Sequence, residues 1–105
     1  MVAPSRPKEQ ARPVMDYERL DAIAQATRRR DGDCAATLVG LMLAEEVGEA
    51  IQQLRRVLGH ARQPAGPEDV GAELADVVIS AAVLARLLDV DLSSHIEQKL
   101  AEGVR

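Results

Sequence analysis

The sequence predicts an all-α fold, a single domain of four helices joined by short turns. Two observations predict it. No stretch alternates apolar and polar residues with period two, so no strand is indicated. The apolar residues are almost all Ala, Leu, Val and Ile, with one Tyr, no Phe and no Trp. A core of such small and branched side chains favours closely packed helices. At 105 residues the chain suits one compact domain of modest core, the kind that often completes its core by oligomerising.

Residues 1–13, MVAPSRPKEQARP, hold Pro4, Pro7 and Pro13 among basic and polar residues and read as a disordered tail. The domain proper then spans 14–105. A first helix is expected from Met15 to Arg30. Asp16 sits in its first turn, and Arg28, Arg29 and Arg30 in its last, where cations meet the negative end of the helix dipole. Asp31, Gly32 and Asp33 form a turn. A long second helix runs from Cys34 to Leu58, roughly 37 Å at 1.5 Å per residue, and Gly59 stops it. The loop 59–67 is rich in Gly and Pro. Pro67 opens a third helix over Glu68–Leu88, with Glu68 and Asp69 in the favourable first turn. Asp91 caps a last helix, Leu92–Glu102.

Charge and cysteine content exclude several classes of function. The formal net charge of −4 argues against a nucleic-acid backbone as partner, though not against a phosphate ligand that arrives with divalent cations. Cys34 is the only cysteine, so no intramolecular disulfide is possible. No window has the apolar length of a membrane span or a signal peptide. The expectation is a soluble cytoplasmic protein.

Against this background the run LAEEVGEAI, residues 43–51, stands out. Glu46 and Glu49 lie one turn apart in a helix with Leu43, Val47, Ala50 and Ile51 around them. In the third helix, ELAD places Glu73 and Asp76 with the same spacing. At about 100° per residue, each pair falls on one rim of its helix's apolar stripe. That stripe is Val39, Leu43, Val47, Ala50, Ile51, Leu54, Val57 and Leu58 on the second helix. On the third it is Val70, Leu74, Val77, Val78, Ala81, Leu84, Ala85 and Leu88. An antiparallel hairpin around the 59–67 loop sets Glu49 level with Asp76 and gathers the four carboxylates at the edge of the helix–helix interface.

Like charges at a partly buried edge repel, and burial raises the cost of each. Protonation relieves this, and so does a divalent cation between them. A set made only of carboxylates selects a hard ion, Mg²⁺ or Mn²⁺, over Zn²⁺. Neither His60 nor His95 follows a Glu by three residues, so the Glu-x-x-His pattern of di-iron bundles is absent. The competing reading is two solvated acidic faces on amphipathic helices.

The combination of EEVGE (Glu45, Glu46, Glu49) and ELAD (Glu73, Asp76), with 23 residues between Glu49 and Glu73, resembles the E-E-x-x-E and E-x-x-D signature of the MazG-like all-α nucleotide pyrophosphohydrolases. The resemblance covers about residues 37–100. It implies Mg²⁺-dependent hydrolysis of (deoxy)nucleoside triphosphates to monophosphate and pyrophosphate, a house-cleaning activity on the nucleotide pool. Four helices of mostly small aliphatic residues leave apolar surface exposed in a monomer, so the MazG-like four-helix bundle is expected to be completed as a homodimer or dimer of dimers. Carried over by position, Glu46, Glu49, Glu73 and Asp76 are the metal ligands, and Glu45 and Glu46 are the candidate catalytic acids. Lys99, assisted by Arg105, would meet the phosphates. Many relatives use Trp or Phe near the base and an Asn near the C-terminal Lys, and this chain has none of these. The expectation that follows is a base pocket that is aliphatic, around Leu38 and Met42, or one supplied by a second chain. The alternatives are a helical interaction protein without enzymatic activity, and a family member that binds a nucleotide without turning it over.

Overall fold

The computed structural model describes residues 16–103. Four α-helices account for most of them: α1 (Tyr17–Asp31), α2 (Ala35–Val57), α3 (Pro67–Leu87) and α4 (Leu92–Glu102). A 3-10 turn, Gly32–Cys34, links α1 to α2, and there is no strand among the described residues. The expected tail, residues 1–13, lies outside the described residues, as do Met15 and Arg105.

Local chemistry accounts for the helix ends. The Asp16 carboxylate accepts the Arg19 N–H at 3.2 Å and caps α1. Asp91 does the same for α4, accepting from the Ser94 N–H at 3.1 Å and the Ser94 hydroxyl at 2.7 Å. At the start of α3, Pro67 occupies the first turn, where its missing N–H costs nothing. The Asp69 carboxylate there reaches back to accept the Gly66 N–H at 2.9 Å. The α2 terminus closes in a Schellman motif. His60 N–H bonds to the Arg55 carbonyl, Gly59 N–H bonds to the Arg56 carbonyl, and Gly59 takes φ +80°. The same motif closes α3, with Val90 bonded to Ala85, Asp89 bonded to Arg86, and Asp89 at φ +55°.

The helices α2 and α3 form the main interface, an antiparallel hairpin. Its seam consists of Val39, Leu43, Glu46, Ala50, Gln53 and Val57 against Val70, Glu73, Val77, Ser80, Leu84 and Leu87, all buried or half-buried. The steps alternate three and four, the narrow spacing of a coiled-coil seam rather than a broad core-facing stripe. Glu46 and Glu73 are therefore seam residues, not rim residues. Of the rest of the expected stripe, Ala85 is buried and Ala81 half-buried, and the large side chains are wet. Val47, Ile51, Leu54 and Leu58 on α2, and Leu74, Val78 and Leu88 on α3, are each 40–59% exposed.

α1 packs mainly on α3 and less on α2. Where the three meet, Leu20, Ala24, Val39, Ala82 and Val83 form the buried core, flanked by Tyr17, Leu84, Leu87 and Leu92. The triple arginine divides its work. Arg28 crosses to donate to the carbonyls of Arg86 and Leu87 at the end of α3, at 3.3 and 3.0 Å. Arg30 pairs with its neighbour Asp31 at 2.8 Å. Arg86 joins α3 to α1, bonding Asp21 at 2.6 Å and lying 5.0 Å from the centre of the Tyr17 ring. α4 is fastened only near its start, through Leu92 and a hydrogen bond between the Tyr17 and Ser93 hydroxyls. No helix is long and apolar enough to cross a membrane among the described residues.

Candidate metal centre

The seam of the hairpin positions the acids. Helical spacing of three and four places Glu46 between Leu43 and Ala50, facing α3. It places Glu73 between Val70 and Val77, facing α2. Both side chains are half-buried, while Glu45, Glu49 and Asp76 on the flanks are exposed. One oxygen from each of Glu46, Glu49 and Glu73 falls within 4.8 Å of the others. The Oε2 oxygens of Glu46 and Glu73 are shut from solvent, and neither has a hydrogen-bond partner among the described residues.

Such groups are costly. A buried carboxylate oxygen without a donor forfeits its hydration and gains nothing in return. The consequence is electrostatic. Burial pushes the Glu46 carboxyl above its ordinary value of 4.5, and the charges of Asp76, Glu49, Glu73 and Glu45 push it further. Burial also raises Glu73, followed by the charges of Glu49 and Asp76. Among neighbours, Asp76 acts most on Glu46 and Glu49 most on Glu73. Counting residues from the loop sets Glu49 level with Asp76, yet it is an oxygen of Glu73 that joins those of Glu46 and Glu49 within 4.8 Å, with Asp76 outside that set.

Three of the four expected metal ligands therefore come together. Asp76 stands beside the cluster, close enough to act on both buried acids but outside the set of three. No arginine, lysine or histidine pairs with any of the four among the described residues. Three carboxylates with two unsatisfied buried oxygens suit a hard divalent cation, which supplies the missing positive charge and takes oxygen ligands alone. The donor set fits Mg²⁺ or Mn²⁺ and is wrong for a soft ion.

The remaining expected residues are less gathered. Leu38 and Met42 are 41% and 46% exposed, on the flank of α2 that also carries Glu49. Lys99 is exposed on α4 and forms no salt bridge among the described residues. Sequence reasoning missed Arg28 and Arg86, which bind one helix to another. Basic residues near a helix end gave no sign that their targets lay on a different helix.

No family model matches the chain, and neither a curated protein nor a solved structure matches it.

Proposed function

We propose that this chain is a divalent-cation-dependent nucleoside triphosphate pyrophosphohydrolase, similar to the MazG-like enzymes its two acidic motifs resemble. One observation carries the proposal: two buried, partnerless carboxylate oxygens, of Glu46 and Glu73, with Glu49 alongside. A fold that only needed two helices to pack would place aliphatic residues at those seam positions. Keeping carboxylates there costs stability and suits a site that receives positive charge from outside.

In this reading Glu46, Glu49 and Glu73 hold Mg²⁺ or Mn²⁺, and Asp76 lies beside them. The cation would neutralise the triphosphate and lower the pKa of a water poised for attack on phosphorus. The chain's own part is to orient and exclude. The seam fixes Glu46 and Glu73, and burial on the α2–α3 side leaves one open face for a substrate. Glu45, next to Glu46 and exposed, is free to receive the proton of the attacking water. Leu38 and Met42 would give the base an aliphatic surface on the same flank.

The exposed aliphatics support the second half of the proposal, that the working unit is a homo-oligomer. Single domains rarely leave so many large side chains of two adjacent helices open to water. A non-enzymatic interaction module would share that surface, but it gives no reason for the buried acids. The test is pyrophosphate release from a panel of ribo- and deoxyribonucleoside triphosphates with Mg²⁺, beside a Glu46→Gln control. Release by the native chain and its loss in the variant is the expected result. Equal, background-level release by both overturns the proposal.

A further inference from the structure

The flank of α2 that carries Glu49 changes character along its length. Leu38, Met42, Glu49 and Arg56 fall within about 40° of one another on a wheel of about 100° per residue, in the order apolar, acidic, basic. Met42, Glu49 and Arg56 recur every seven residues, about 10 Å apart at about 1.5 Å per residue. The acidic cluster thus has an aliphatic surface two turns to one side and a guanidinium two turns to the other. Helical side chains lean toward the N-terminus, which carries the Arg56 guanidinium back toward Glu49.

Arg56 is a cation without an anion. It is half-buried and forms no salt bridge among the described residues. The helix dipole accounts for one cation in the last turn of α2, and Arg55 serves there, donating to the His60 carbonyl at 3.3 Å. Glu68 and Asp69 are the acids of α3 at this end of the hairpin. Neither pairs with Arg56, and the Asp69 carboxylate already accepts the Gly66 N–H. A guanidinium offers a planar fork of N–H donors that matches the oxygens of a phosphate. Lys99, the cation expected at the phosphates, belongs to α4, which joins the fold beyond the end of α3 that lies far from Glu73.

We infer that the substrate lies along α2 in one direction, its base over Leu38 and Met42 and its terminal phosphate on Arg56, and that Arg56 thereby selects triphosphates over diphosphates. The order of the flank repeats the order of the molecule. A base meets aliphatic carbon, an inner phosphate shares a divalent cation with the carboxylates, and the outermost phosphate meets the guanidinium. A reversed substrate would lay its outermost phosphate on Leu38 and Met42, where a charge finds no partner. This rests on the pyrophosphohydrolase reading of the acidic cluster, to which it adds a direction of binding and the residue that counts phosphates.

Calorimetric binding tests it without turnover. The probes are the α,β-methylene deoxynucleoside triphosphates and diphosphates of each base, which cannot be cleaved at that bond. They are titrated with Mg²⁺ into the native chain, Arg56→Gln and Arg56→Lys. Arg29→Gln, on the exposed side of α1, controls for lost charge alone. The expected result is that Arg56→Gln loses roughly ten- to a hundredfold in affinity for the triphosphates, the worth of a hydrogen bond to a charged group, and little for the diphosphates. Arg56→Lys keeps part of the preference, since it retains the charge and not the fork. Unchanged affinities in Arg56→Gln, or an equal loss for both probes, overturn the role of Arg56. A shift in preference among bases with the triphosphate preference intact overturns the direction of binding. Pyrophosphate release by a native chain whose triphosphate preference ignores Arg56 removes this inference alone. A native chain that binds neither probe and releases no pyrophosphate removes the reading of the cluster as well.

Discussion

A carboxylate with an oxygen closed off between two helices holds its proton more tightly than one in water. Glu46 and Glu73 are in that state, each raised first by burial and then by acidic neighbours. In the unfolded chain both return to the ordinary value of 4.5. A raised folded value means that the stability they contribute is fully present below 4.5 and is lost as pH rises from there through the raised folded value. Asp31 and Asp91 have lowered values, so theirs is lost only below their ordinary 3.8, in a separate window. Metal-free protein should therefore melt higher near about pH 5 than near about pH 7.5. Glu46→Gln should flatten that dependence and raise the melting temperature at the higher pH, since it removes a charge from the seam. Millimolar Mg²⁺ should raise the melting temperature of the native chain and leave Glu46→Gln almost unmoved, because a ligand stabilises the state it binds. Thermal melts of both proteins across pH, with and without the cation, check all three. A native chain indifferent to pH and to Mg²⁺ would make these acids ordinary surface groups.

Among the helices, ends were easier to read than faces. Pro67, Gly59, Asp16 and Asp91 each act through their own backbone neighbours, so their effects are written within a few residues of sequence, and the helix bounds follow closely. The face that packs is decided by the other helix. A 100° wheel marks the whole apolar arc, and the half of it farther from the acids is where Val47, Ile51, Leu74 and Val78 lie exposed. The seam that actually closes follows the three-four spacing through Glu46 and Glu73, a signal present in the sequence but masked by the acids themselves. The acidic cluster was legible because two pairs on adjacent helices had matching spacing. That Glu73 rather than Asp76 completes the set of three was not, because it depends on how the two helices are staggered. The end of α3 gives a prediction at this scale. Asp89 holds the left-handed conformation that glycine occupies at the equivalent place in α2. Asp89→Gly should relieve that strain and stabilise the protein by up to about 1 kcal/mol, set against the added freedom of the unfolded chain. For a domain of this size that is a rise of about 4–8 °C per kcal/mol. Thermal unfolding measures it, and a fall in melting temperature would show that the Asp89 side chain earns its place through contacts instead.

For the molecule as a whole, the imbalance lies between a small core and a large apolar exterior. Among the described residues, Leu20, Ala24, Val39, Ala82 and Val83 form the buried cluster, and no large side chain is fully buried. A chain that relies on association for part of its burial is stabilised by its own concentration. Its melting temperature should climb as protein concentration is raised tenfold at fixed pH and salt. A melting temperature independent of concentration would mark a stable monomer that tolerates its wet aliphatics. Oligomerisation was expected from composition alone, because a ring-free core in a chain of 105 residues has little to bury. Where α4 lies was not legible, since it is set where Tyr17, Asp21, Arg86 and Ser93 meet across three elements.

That meeting point also fixes what the protein offers to light. Tyr17 is the only aromatic side chain apart from the two histidines, with no Trp and no Phe elsewhere. It lies under Arg86 and against Ser93, at the junction of α1, α3 and α4. Every near-ultraviolet dichroic band and all intrinsic fluorescence of the folded chain therefore originate at one joint. Far-ultraviolet signal reports the helices everywhere, whereas the tyrosine band reports only whether α4 is fastened to α1. Release of that joint would register as a lost band over an unchanged helical spectrum, so the two wavelengths together separate undocking of one helix from unfolding of the whole.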